Sequence, residues 1–151
     1  MTKHDVDESM FVRERLIRGG IALIAEEGCS SLGVRRLAQA SDRTTMCVYS
    51  KFGSRGGLLA AVYVRVADGL VAILESAVTA GDAYRDWARA NAQLYILLFD
   101  QPLDALDVAD TARRDLIGRL VALLPDGQNE WARLHGEASY ERISHAQPAR
   151  A

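Results

Sequence analysis

The chain has 151 residues, enough to bury a sizeable core but too few for two independent domains of ordinary size. Apolar residues make up 49% and charged residues 25%, with 12 Gly and 3 Pro, which excludes a low-complexity chain and describes a soluble globular protein. The net charge of −2 hides an asymmetry: residues 30–55 hold the bases Arg35, Arg36, Arg43, Lys51 and Arg55 against one acid, Asp42, whereas the remainder is acidic or neutral. Such a basic segment attracts a nucleic-acid duplex, and the plain alternative is an ordinary solvated face.

No apolar run reaches membrane-spanning length, so no membrane partner is expected. The start, MTKHDVDESM, has acid where a signal peptide has a basic stretch and an apolar core, which predicts a cytoplasmic protein. Cys29 and Cys47 lack a C-x-x-C arrangement or a histidine at metal spacing. Both read as small packing residues, and no disulfide, metal or cofactor is implied.

Residues 1–8 are polar and unpatterned and predict a frayed arm, with Ser9 a candidate N-cap. Over residues 10–27, Leu16, Gly20, Leu23, Ile24 and Glu27 follow the spacing of one helical face, and Gly28 stops the helix. Gly19 and Gly20 cost roughly 1 kcal/mol each relative to alanine, so an inward glycine there predicts a close-passing backbone, that of the third helix. A second helix spans residues 32–40, with Val34, Leu37 and Ala38 inward. After the turn SDRT, Thr44 is placed to cap a third helix over residues 45–52, where Val48 and Phe52 go inward. Ala38, Asp42 and Val48 stand at helix-turn-helix spacing: a small residue where helices touch, a turn residue, an apolar anchor. Thr44, Thr45, Met46, Tyr49, Ser50 and Lys51 are left on or near the free face, as groups that meet phosphate oxygens and base edges. For Tyr49 the bland alternative is a core aromatic. Arg55 sits beside the start of the next helix, where backbone N–H groups also favour an anion; its alternative is a surface cation that only aids solubility.

A fourth helix is predicted over residues 57–78, with Leu58, Ala61, Val62, Val66, Leu70, Ile73, Leu74 and Ala77 as an apolar stripe. Gly81-Asp82 breaks it, and residues 83–99 form another helix carrying Tyr84, Trp87, Tyr95 and Phe99. Pro102 ends that segment, residues 106–124 form a helix stopped by Pro125-Asp126-Gly127, and a last helix covers residues 129–143 before a polar tail. Trp87, Tyr95 and Phe99 are candidates to line a pocket for a small apolar or aromatic ligand, together with Trp131 and His135; the plain alternative is a packed core. There is no nucleophile elbow, phosphate loop or paired metal-ligand spacing, so an enzyme is not expected.

The stretches RLIRGGIALIAEEG, VRRLAQAS and TTMCVYSKFGSRGGLLAAV resemble the N-terminal domain of the tetracycline-repressor (TetR) family, over roughly residues 13–62. The resemblance implies an all-α protein: a helix-turn-helix DNA-binding lobe of three helices, residues 1–56, followed by a shortened helical domain, residues 57–151, for dimerisation and ligand response. It implies a homodimeric, ligand-responsive repressor on a palindromic operator, with Tyr49 and Arg55 on phosphates, Thr44 and Lys51 as further backbone contacts, and Thr45 and Met46 on bases. Ligand binding would move the fourth helix and respace the two reading helices. Asp42 stands where the family usually has glycine, Arg43 where it has an apolar residue, and Gly56-Gly57 where it has an acidic or polar pair. YRDWARANAQLYILLF and WARLHG are similar to a C-terminal subclass named for a Trp, His and Gly, here Trp131, His135 and Gly136; Asn91-Ala92 replaces its usual His-Pro. A second reading is a shortened TetR-like helical protein that binds DNA weakly and acts through a protein partner.

Overall fold

A computed structural model describes residues 3–30 and 32–145, and the chain is all-α. Helix α1 (Lys3–Glu27) leads into α2 (Val34–Ala40), α3 (Thr45–Phe52) and the long α4 (Arg55–Ser76). Then come α5 (Ala80–Ala90), a short α6 (Ala92–Tyr95), α7 (Asp110–Leu123) and α8 (Gly127–His145). α6 runs on into a π turn at Ile96–Asp100, and a 3-10 turn at Asp104–Leu106 precedes α7.

α4 is the axis of the fold, because α1 and α3 pack on it from one end of the chain and α5 and α7 from the other. Leu58, Val62, Val66, Leu70 and Leu74 of the expected stripe are buried, and so are their neighbours Leu59, Tyr63, Ala67 and Val71. Burial on two sides follows from having partners on two sides. Ile73, read as inward, is 42% exposed. The 22 residues of α4 are also long and apolar enough to cross a membrane, which corrects the expectation that no stretch reaches that length; half of the apolar window is buried inside the fold, as in a core helix.

The first helix starts seven residues before its expected position, at Lys3 instead of Met10, so Ser9 lies inside α1 and is no N-cap. No Gly or Pro interrupts residues 3–18, and extending an anchored helix needs no new nucleus. Glu14 ties α1 to α4: its carboxylate accepts both Nη atoms of Arg65 at 2.8 Å and Arg18 Nε at 2.8 Å. Hydrogen bonds from Arg65, then Arg18, hold the Glu14 carboxyl down to about 2.

The backbone passing close to Gly19 is the end of α2, not the third helix. A Cβ at Gly19 would overlap Ser41 Oγ and lie 3.0 Å from the Ala40 carbonyl oxygen, whereas Gly20 faces the Val62 and Leu37 side chains. Asp42 adopts a left-handed φ of 53°, so it supplies the turn geometry for which glycine is the easy choice.

The expected break at Gly81-Asp82 falls instead at residues 77–79. Gly81 is buried inside α5, where a Cβ would stand 3.1 Å from Glu130 Oε1 and 3.5 Å from Leu134 Cδ1, so its small size serves contact with α8. The single helix expected over residues 83–99 is really α5, α6 and the π turn, divided at Asn91, whose Nδ2 donates to the Trp87 carbonyl at 2.9 Å. At the π turn, Tyr63 Oη donates to the Leu98 carbonyl at 3.0 Å, and Arg113 donates to the Leu98 and Gln101 carbonyls at 2.7 and 2.6 Å. These donors satisfy carbonyls that the helix end leaves without intrahelical partners. The helix expected from residue 106 begins at Asp110, after the 3-10 turn, and α8 is longer at both ends than expected. Most of the tail expected after residue 143, and the first two residues of the expected arm, lie outside the described residues.

Candidate nucleic-acid interface

α2 and α3 form a helix-turn-helix. Leu37, Ala38 and Val48 are buried at the helix contact, and Arg43 N donates to the Ala38 carbonyl at 2.9 Å to close the turn. α3 covers the expected residues, with Thr44 at its N-cap in extended conformation. Its side chain does not cap the helix; Thr44 Oγ1 lies 3.7 Å from Cys47 Sγ. Phe52 is half-buried beneath the Arg13 guanidinium, 4.9 Å from the ring centroid.

With Val48 fully buried, the opposite side of α3 faces outward: Met46 is 72% and Tyr49 51% exposed. Thr44 and Ser50 are exposed and Thr45 is half-buried. Tyr49 is therefore not a core aromatic.

The basic residues are less free than counting along the chain implies, because folding brings acids and acceptors to them. Arg36 pairs with Glu27 at the end of α1, and Lys51 Nζ donates to Ser9 Oγ at 2.8 Å. Arg55 Nε donates to the Leu32 carbonyl at 2.5 Å, and its Nη1 is 3.8 Å from Asp107 Oδ2. Arg43 is half-buried; Nη1 donates to the Asp42 carbonyl at 3.2 Å, and Nε is buried with no hydrogen-bond partner. Arg35 is exposed on α2.

The structure brings four of the aromatic candidates of the C-terminal half, Tyr95, Phe99, Trp131 and His135, together as a cluster. Trp131 stacks on His135 at 4.9 Å, and Phe99 lies 5.0 Å from Tyr95, 5.2 Å from His135 and 5.5 Å from Trp131. Tyr84 joins at 5.3 Å from Trp131. Tyr84 Oη and Tyr95 Oη both reach His135 Nδ1, at 3.1 and 2.9 Å, and Tyr95 Oη also meets Ser139 Oγ at 2.9 Å. Burial pushes both phenols up and the imidazole down from their ordinary values. A neutral imidazole with a bare Nδ1 accepts from one phenol at a time, and Ser139 Oγ offers Tyr95 a second partner, so geometry and burial agree. Tyr95, Phe99, Trp131 and His135, expected to line a pocket, pack on one another, and Trp87 is buried on α5.

A groove of about 530 Å³ lies elsewhere, between α5–α6 and α8, with Ala88, Ala92, Ile96 and Ala138 along it. Arg85–Glu137 and Arg89–Glu141 ion pairs cross from α5 to α8 at its edge. Alternating apolar and charged positions on α5 predict burial of one face, but not which neighbour leaves a gap. Asp107, Arg113 and Ser139 were not singled out by their sequence context, since each acquires its contact only when distant segments meet.

No protein-family model matches the chain, and no curated protein matches it. The fold is similar to that in the crystal structure of a possible TetR family transcriptional regulator from Streptomyces coelicolor A3(2), at 22% identity and a TM-score of 0.47, covering 88% of this chain and 68% of that chain.

Proposed function

We propose that the chain is a DNA-binding transcriptional regulator, with residues 1–56 as the reading lobe and residues 57–151 as a helical domain for dimerisation and ligand response. The observation that supports this best is the outer face of α3, where Met46 and Tyr49 stand exposed above a buried Val48 in a helix-turn-helix. A helix of this width enters the major groove, where Thr45 and Met46 meet base edges and Thr44, Tyr49 and Ser50 meet phosphate oxygens. Arg35, Arg36, Arg43, Lys51 and Arg55 surround that face with positive charge, and those already held in the fold exchange an internal partner for a phosphate.

A reader of this kind acts as a homodimer on a palindrome and represses transcription in the cytoplasm. The exposed side of α8 suits a second copy: Ala132, Gly136, Tyr140 and Ile143 recur at helical spacing, with Tyr140 74% and Ile143 63% exposed. A small apolar ligand takes the groove between α5–α6 and α8, which Ala88, Ala92, Ile96 and Ala138 line.

Light scattering during size-exclusion chromatography, followed by selection from a random-sequence duplex pool on the same sample, tests the reading. A dimer that enriches a palindrome supports it. A monomer with only weak, salt-sensitive binding replaces it with the shortened protein that acts through a partner.

A further inference from the structure

Arg55, at the start of α4, is held from two directions: by the Leu32 carbonyl before α2 and by Asp107 in the connection to α7. Two independent features show that the Asp107 contact is built into the fold. A Cβ at Gly56 would overlap that of Asp107 and come within 2.7 Å of its Oδ2, so glycine at this position is what lets Asp107 lie over the start of α4. Asp107 itself holds a left-handed backbone, φ 56° and ψ 31°, which costs an L-residue energy and aims its side chain from a fixed turn.

We propose that Asp107 is an autoinhibitory latch, its carboxylate competing with a DNA phosphate for the Arg55 guanidinium. The proposal rests on the reading that α3 binds DNA. Carboxylate and phosphate are alternative forked acceptors for the same guanidinium donors. The pair is poised to exchange: it is 3.8 Å long, and the Asp107 side chain is 68% exposed, so it opens at small cost yet opposes a phosphate until it does. The latch joins the reading lobe to the α6–α7 connection, making DNA affinity sensitive to how that connection sits.

The test is titration of a fluorescent random-sequence duplex pool with the full chain, its Asp107→Asn and Arg55→Ala variants, and the double variant. Asp107→Asn is expected to bind about two- to fivefold more tightly, the range of an exposed ion pair expressed as affinity. Asp107→Gly, which suits the left-handed backbone, should give the same gain and so excludes a folding artefact. In the Arg55→Ala background the gain should vanish, because the competitor has lost its prize. Equal binding by wild type and Asp107→Asn overturns the latch and leaves the DNA reading intact. A gain that persists without Arg55 also overturns it, since simple relief of repulsion then explains the effect. Failure of every protein to bind duplex overturns the DNA reading and the latch with it.

Discussion

His135 sits among aromatic rings with two phenol oxygens on one ring nitrogen, and this arrangement makes stability depend on pH. Burial lowers its folded pKa below the ordinary 6.5, so the unfolded chain takes up the proton more readily than the folded one. The stabilisation is therefore complete above that ordinary value and declines as pH falls through it toward the folded value. Urea unfolding from about pH 7 to about pH 5 should show stability falling, with a shallower fall in His135→Asn; an unchanged slope in that variant would remove His135 as the cause. Glu14 acts in a lower window: its stabilisation is present above 4.5 and lost as pH falls toward about 2. At Gly19, alanine gains roughly 1 kcal/mol in helix propensity yet drives a Cβ into Ser41, so Gly19→Ala should destabilise the protein by about 1–3 kcal/mol in chemical denaturation. A neutral or stabilising result would mean that the α2 end moves aside freely. That the Gly19-Gly20 pair meets a neighbouring backbone was legible, because an inward glycine in a helix needs a reason; that Gly19 meets it, and not Gly20 on the expected inward face, was not. Which backbone it meets was not, since helical periodicity gives a face but not the element opposite it.

The helix-turn-helix was the most legible element, since the boundaries of α3 depend on local features: a turn residue able to take a left-handed φ, and one buried anchor, Val48. The start of α5 was less so. Gly81 looks like a breaker in sequence and is a contact residue in the fold, a difference set by Glu130 and Leu134 of α8, which are distant along the chain. The π turn was not legible either, because its carbonyls are held by Tyr63 and Arg113 from α4 and α7. Arg113→Met keeps much of the side-chain bulk and removes two charged hydrogen bonds, so it should cost about 1–3 kcal/mol. The check is thermal unfolding alongside Tyr63→Phe. If Arg113→Met melts like wild type, solvent rather than the guanidinium satisfies that helix end.

Across the whole molecule, one apolar core runs from Leu16 in α1 to Leu134 in α8, with α4 shared between the reading lobe and the rest. Counting charge along the chain found the right segment but overstated its free charge, because Glu27, Ser9, Leu32 and Asp107 arrive from other elements to hold Arg36, Lys51 and Arg55. The exposed side chains of α3 thus carry the proposed function more directly than net charge does. The measurement that tests it most directly is equilibrium binding of a random-sequence duplex pool by wild type and Tyr49→Ala at low and moderate salt, with circular dichroism to establish equal folding. The account predicts that wild type binds with an affinity that falls steeply as salt rises, and that Tyr49→Ala binds about tenfold more weakly at each salt while remaining folded. Equal binding by the two proteins, or no duplex binding by wild type at low salt, would contradict it.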